Sequence, residues 1–266
     1  MVAVLGTLVS ACRKLPNLEV IVVDDGSSDG TTDLIANFAE PKDSVDLVVI
    51  SRASNRGKGA SIRDGIAAAT GEWVVVHDAD LEYDPADIPF LLETAITWQA
   101  DVIYGSRFLD NRNTTTWWHW FANQVLTVYS NQFTGFGLTD VHTGMKMFRR
   151  RLLEGLDLRE NRFGFCAEVT VRVGRLGVRH VRVGEGFTDV KEASKERLSL
   201  NLLGSSDLRL VEVPIRYSPR SYREGKKIRF RDGLRALWCA VRYSCFTPRD
   251  RLRSIHDPGW CNNIMR

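Results

Sequence analysis

The sequence predicts an α/β fold in which a mostly parallel central sheet carries helices on both faces. Three observations lead there. Between Leu18 and Tyr104, short apolar, β-branched runs alternate with stretches of helical spacing, the rhythm of right-handed βαβ crossovers. The runs are apolar throughout rather than at every second position, as strands covered on both faces require. Two of them end in acid clusters, Asp24-Asp25 and Asp78-Ala-Asp80, at the carboxyl edge where open parallel sheets bind ligands.

Leu18 to Val23 is the first predicted strand, and Ser28-Asp29-Gly30-Thr31-Thr32 then supplies caps for a helix reaching Phe38. Asp46 to Ser51 is the second strand. The turn Asn55-Arg-Gly-Lys-Gly59 leads into a helix from Ala60 to Ala69, where Ile62 and Ile66 share a face, and Gly71 ends it. Trp73 to Val76 is the third strand. Asp84-Pro85 reads as an N-cap followed by proline at the first helical position, opening a helix to Trp98 before a fourth strand at Asp101 to Tyr104. Further on, Trp117, Phe121, Val125 and Val128 fall on one helical face, which predicts core packing. The aromatic density of Trp117-Trp-His-Trp-Phe121 also suits an interfacial contact. Leu208 to Val213 predicts another strand, and Leu234 to Tyr243 an amphipathic helix mixing Arg235 and Arg242 with Leu237, Trp238 and Val241.

At 266 residues and 44% hydrophobic, the chain suits one domain over residues 1–245 with a tail at 246–266. Its net charge of +3 hides an asymmetry: ten Arg and two Lys against three acids give +9 from Arg216 to Arg253, leaving −6 elsewhere. The basic segment is either a solvated face or a surface that meets an anion. Five widely spaced cysteines without a C-x-x-C pair indicate neither a disulfide framework nor a zinc site, so a reducing compartment fits. The apolar start through Cys12 has no basic residue ahead of it, which argues against an export signal. No run reaches the roughly 18 apolar residues of a membrane span.

Between Asp78 and Asp84 the chain places four carboxylates within seven residues. In extended chain, side chains two apart point the same way, so Asp78 and Asp80 converge. Both are ionised at neutral pH, and a divalent cation between them reverses their repulsion. Oxygen ligation of this kind suits Mg²⁺ or Mn²⁺ completed by phosphate oxygens. A calcium loop is excluded, because Tyr83 stands where the required glycine would be and Pro89 where the closing glutamate would be. His77-Asp78 could serve a metal phosphohydrolase, although a lone histidine at a strand end is usually a packed one. Neither G-x-x-x-x-G-K-[ST] nor G-x-G-x-x-G occurs.

Taken together, Val20-Ile-Val-Val-Asp-Asp-Gly-Ser-Ser-Asp-Gly-Thr31, Asn55-Arg-Gly-Lys-Gly-Ala60, Asp78-Ala-Asp-Leu81 and Gly105-Ser-Arg-Phe108 resemble family 2 glycosyltransferases of the GT-A fold, nearest the dolichyl-phosphate mannose synthase branch. Thr139-Asp-Val-His-Thr-Gly-Met-Lys146 and Glu212-Val-Pro-Ile-Arg-Tyr217 are further landmarks. The resemblance implies a nucleotide-diphosphate sugar donor, a metal on Asp78 and Asp80, donor contacts near Asp24 and Asp25, and inversion at the anomeric carbon. Lys58, in its glycine-flanked turn, could add a cation to the diphosphate, or simply face solvent. A polyprenyl phosphate acceptor, ionised near neutrality, would need cations rather than a base. Arg107 and Lys146 are the candidates, with Arg220, Arg223, Lys226 and Lys227 as an outer collar, and Asp80, Arg107 and Lys146 carry the catalytic expectation. Such an enzyme would work from the cytosolic face, peripheral to a membrane, without nucleic acid. An acceptor hydroxyl would instead make Asp140, His142 or Glu168 central as base, although Glu168 reads equally well as a first-turn helix acid. An inactive truncated homologue is the non-enzymatic alternative.

The chain departs from the family pattern in three places. The usual first strand is absent, which implies an incomplete nucleotide pocket and an open edge on a sheet that is normally paired. Residues 180–207 form an atypical inserted loop, rich in Gly, Ser, Glu and Lys. A missed first exon and a retained intron would account for both. Glu82 stands where the branch commonly carries glutamine, which bears on the sugar and the metal.

Overall fold

The computed structural model describes residues 2–38, 45–109, 117–183, 208–220 and 230–248. Strands β1 (Glu19–Asp24) and β2 (Asp46–Ser51) pair in parallel, from Glu19 opposite Asp46 to Asp24 opposite Ser51. Helices α1 (Val2–Cys12), α2 (Thr31–Ala36) and α3 (Lys58–Ala68) accompany them. A second sheet holds β3 (Trp73–Val76), β4 (Val102–Ser106), β5 (Lys146–Arg149), β6 (Arg179–Arg182) and β7 (Arg209–Pro214) in the order β3-β5-β4-β7-β6. The predicted strands therefore exist. The predicted N-cap at Asp84 also holds: its carboxylate accepts from the Ala86 N–H at 2.9 Å, opening a 3₁₀ turn at Pro85–Asp87 and then α4 (Ile88–Thr97).

Strand β5 is the element that the apolar pattern did not give. Its four residues, Lys-Met-Phe-Arg, lack an apolar run, yet it lies antiparallel between β3 and β4. Pairing on both edges buries what the sequence leaves polar. Parallel pairing returns between β4 and β7 and between β7 and β6. Strand β6 begins at Arg179, so residues 180–182 of the expected inserted loop are strand, and residues 184–207 lie outside the described residues.

The second sheet carries a core on each face. Ile103, Met147, Val211 and Val213 join Leu91 and Ala95 of α4 on one side. Val102, Tyr104, Phe148 and Leu210 face Phe165, Val169 and Val173 of α7 (Phe165–Gly174) on the other. The remaining helices are α5 (Trp117–Thr134), α6 (Arg150–Gly155) and α8 (Phe230–Cys245), with α5 and α8 closing a smaller cluster over α7. Every residue of β4 is buried, whereas every residue of β3 is only half-buried. Among the described residues β1 pairs with β2 alone and β3 with β5 alone, so each keeps an open edge. Unpaired edges are where sheets accept further strands.

One expectation is corrected. Trp117, Phe121, Val125 and Val128 do not pack into the core; they are 59%, 46%, 47% and 56% exposed. Helical spacing reports a shared face but not which side of the helix meets the protein, and α5 packs through Leu126, Tyr129 and Phe133 instead.

Candidate active site

At the end of β1, Asp24 folds the loop that follows: one oxygen accepts from the Ser27 N–H at 3.1 Å and the other from the Thr32 hydroxyl. These bonds hold its carboxyl below the ordinary range. Asp25 reaches across to the second loop and accepts from the N–H groups of Arg56 (2.9 Å) and Gly57 (2.6 Å) and from Arg52 (3.0 Å). Burial opposes these donors, yet the net effect keeps Asp25 low. The turn it grips needs glycine. Gly57 has φ +98°, and a Cβ there would lie 2.5 Å from the Asn161 carbonyl.

That turn starts α3 with Lys58, whose ammonium meets the Asp78 carboxylate at 2.6 Å. Burial works against the Lys58 charge, but Asp78 and then Cys166 hold its pKa above the usual value. Asp78 lies against bare backbone, since a Cβ on Gly144 would come within 2.5 Å of its oxygen. Asp80 accepts from the Glu82 N–H at 3.1 Å and pairs with Arg220 at 2.7 Å. Burial and then the Asp78 charge raise the Asp80 carboxyl, which is the signature of crowded negative charge. Directly after Asp80, Leu81 adopts φ +61° although it is neither glycine nor asparagine, a strained conformation of the kind that collects at functional loops. The carboxylates predicted to share a site thus lie in one loop, each with a basic partner.

At the end of β4, Arg107 makes a bidentate pair with fully buried Asp140 at 2.6 and 2.8 Å, and its guanidinium lies 5.1 Å from the Tyr217 ring. Its cation is therefore held by a carboxylate from the Thr139–Lys146 segment. Lys146 departs further from the expectation of a group open to an acceptor. It is 1% exposed, donates to the Thr143 carbonyl and sits 4.9 Å from the Tyr104 ring. Burial lowers its pKa. His142 is pushed down to about 4 by burial and by Lys146, and its Nε2 has no hydrogen-bond partner. Glu168 is fully buried and spends its oxygens on the N–H groups of Arg159 and Glu160 and on Arg172. Arg223, Lys226 and Lys227 lie outside the described residues.

The sequence profile of Glycosyl transferase family 2 matches residues 3–157, more than half of the chain. The chain belongs to glycosyl transferase family 2. An undecaprenyl-phosphate mannosyltransferase of Micrococcus luteus is 30% identical over 200 residues, covering 72% of this chain and 80% of that protein. An undecaprenyl-phosphate 4-deoxy-4-formamido-L-arabinose transferase of Aeromonas hydrophila is 32% identical over 155 residues, 58% of this chain. Those residues span 46% of that relative, under half its length. Among solved structures, a mannosyltransferase from Pyrobaculum calidifontis in complex with GDP-Man and Mn²⁺ superposes with a TM-score of 0.46 at 24% identity, over 66% of this chain and 49% of that one.

In this family 2 chain, the sequence singled out Glu82 only as a departure from the branch's glutamine, and its contacts escaped sequence reasoning. Glu82 is buried and accepts from the Tyr217 hydroxyl at 3.0 Å and the Arg220 N–H at 3.2 Å, which ties the acid loop to the segment after β7. Tyr83 is buried, and its hydroxyl accepts from the Gly144 N–H at 2.7 Å. The run of acids was visible, but apart from Lys58, 20 residues before Asp78, their basic partners come from well over a hundred residues away. Among the described residues no cluster of three or more metal-ligating side chains occurs. Two carboxylates in one loop fit a cation that shares its shell with phosphate oxygens, and fit a wholly protein-bound metal poorly.

Proposed function

We propose that the chain transfers a sugar from a nucleotide-diphosphate sugar to a polyprenyl phosphate, with inversion. The observation that carries this reading is the pairing of Asp78 with Lys58 and of Asp80 with Arg220 at one sheet edge. It is a loop rich in both charges, suited to a divalent cation and the anion that arrives with it. Asp78 and Asp80 would hold Mg²⁺ or Mn²⁺, which when bound stabilises negative charge on a leaving diphosphate. Lys58, at the N-terminus of α3, supplies a cation beside the N–H groups of that helix end. Asp24 and Asp25 shape the two loops that would receive the nucleotide. Arg107, oriented by Asp140, and Arg220 face the acceptor side, with Lys146 lending positive potential from below. The relatives that act on undecaprenyl phosphate support this choice of acceptor.

The state of the candidate bases also favours a phosphate acceptor. A hydroxyl acceptor needs a base, but Asp140 is engaged by Arg107 and Glu168 by backbone. His142, held near 4, is a weak proton acceptor at neutral pH. Because Asp140 also holds Arg107, His142 is the residue that separates the two readings: His142→Ala leaves transfer to a phosphate acceptor largely intact and abolishes transfer to a hydroxyl.

No helix among the described residues is long and apolar enough to cross a membrane. The exposed stripe on α5, with Leu234 and Trp238 on α8 at 51% and 53% exposure, supports peripheral contact with a membrane on its cytosolic face. The deciding experiment offers UDP- and GDP-sugars with Mn²⁺ and a short polyprenyl phosphate, and follows sugar transfer to lipid. Transfer from one donor is expected. Folded protein that transfers from none refutes the reading and favours an inactive homologue.

A further inference from the structure

We propose that Glu212 is a positioning residue for the acceptor side of the site: its carboxylate holds the Thr139–Asp140 turn, and that turn sets Arg107. The proposal rests on the acceptor reading above only for its kinetic consequence. Glu212 lies on β7, opposite Tyr104 of β4 and Arg182 of β6, and is fully buried. Its Oε1 accepts from the Thr139 N–H at 2.8 Å, the Thr139 hydroxyl at 2.9 Å and the Asp140 N–H at 3.1 Å. The Thr139 hydroxyl also meets Ser106 at 2.6 Å, the last residue of β4 before Arg107. Asp140 then takes three donors from Arg107: the N–H at 3.2 Å, Nε at 2.6 Å and Nη2 at 2.8 Å. One strand carboxylate thus anchors the Thr139–Asp140 turn that aims the guanidinium.

A buried acid in mid-strand needs a reason, because a neutral side chain would avoid the desolvation of a charge. Two N–H groups of an irregular turn provide it, since no strand neighbour can satisfy them. The other oxygen, Oε2, has no hydrogen-bond partner. Facing it from β6 are Arg182 Nε at 3.6 Å and His180 Nε2 at 3.8 Å. His180 is pushed down to about 4 by burial and Arg182, so it is neutral near pH 7. From the turn, the Asp140 carboxylate repels Glu212; from β4, Tyr104 keeps its proton under burial. Burial first, opposed by the Thr139 and Asp140 donors, raises Glu212 to about 7. Its grip on the turn is therefore strongest when it ionises, above neutrality, and slackens on protonation.

The test compares wild type, Glu212→Gln and Glu212→Ala. Glu212→Ala is expected to raise KM for a short polyprenyl phosphate about tenfold or more, because a displaced cation loses its alignment, while KM for the donor stays within about twofold. Glu212→Gln keeps an acceptor oxygen and restores most transfer above neutrality. Its acid limb moves from about 7 in the wild type down to the acceptor phosphate's own ionisation near ~6. Equal effects on both KM values, or an acid limb unmoved in Glu212→Gln, overturn the proposal. Amide exchange at Thr139 and Asp140, whose N–H groups Glu212 accepts from, gives an arm independent of turnover. Both amides should exchange faster in Glu212→Ala than in the wild type. Unchanged exchange overturns the proposal even if no acceptor is ever found. Faster exchange without any transfer supports the grip on the turn and refutes only the acceptor reading.

Discussion

The two sheets differ in how well they are built. In β1 and β2 most residues are half-buried or exposed, and among the described residues the pair stands apart from the rest. In β4 every residue is buried, and in β7 the four central positions are. The proposed site straddles this divide. Its donor side, Asp24 and Asp25, hangs on the thin pair. Its acceptor side, Arg107, Asp140, Lys146 and Glu212, is rooted in the thick sheet. A site can therefore lose one half by local opening while the other half stays folded.

The largest expected effect tests whether the acid loop joins the halves. Asp80→Ala is predicted to lower transfer by about a hundredfold or more, while Tm holds or rises, because the crowded carboxylate it removes is raised in the folded state. A drop in Tm without a drop in transfer breaks this assignment.

Next comes a matched pair of core truncations. Ile103→Ala in β4, fully buried, should cost about 2–5 kcal/mol in urea unfolding. Ile21→Ala in half-buried β1 should cost roughly half as much or less, since apolar area already wet contributes little. Equal losses would erase the distinction between the sheets. Hydrogen exchange sharpens it: amides of β1 and β2 should exchange well before those of β4 and β7.

The smallest effect is acid sensitivity, and its sign differs between the sheets. Asp24 and Asp25 have lowered folded pKa values, so their contribution is present above the unfolded value of 3.8 and is lost as pH falls through the folded one. Glu212 is raised from 4.5 to about 7, so the thick sheet gains as pH falls across that window. Exchange measured below pH 3.8 should open β1 and β2 first.

Much of the site was legible because strand ends announce themselves. Asp24, Asp25, Asp78 and Asp80 follow apolar runs directly, and local pattern fixes where they fall. Glycines 57 and 59 flag a turn that backbone must approach closely. The partners were not legible. Arg220 reaches Asp80, Asp140 reaches Arg107 and Glu212 reaches Thr139 across long stretches of chain, and no local period encodes such pairings. The exposed α5 stripe shows the same limit, since spacing defines a face without its orientation.

By itself, then, the sequence determined the alternation of strands and helices, the acid clusters on the sheet edge and the family, because each is written in residues a few positions apart. Only the tertiary structure decided that β5 inserts antiparallel, that Lys146 and Glu168 are enclosed and that a mid-strand glutamate accepts from the backbone of the turn holding Asp140. The reason is physical. Burial and electrostatic pairing depend on distance in space, and the chain fixes that distance only once its layers have packed.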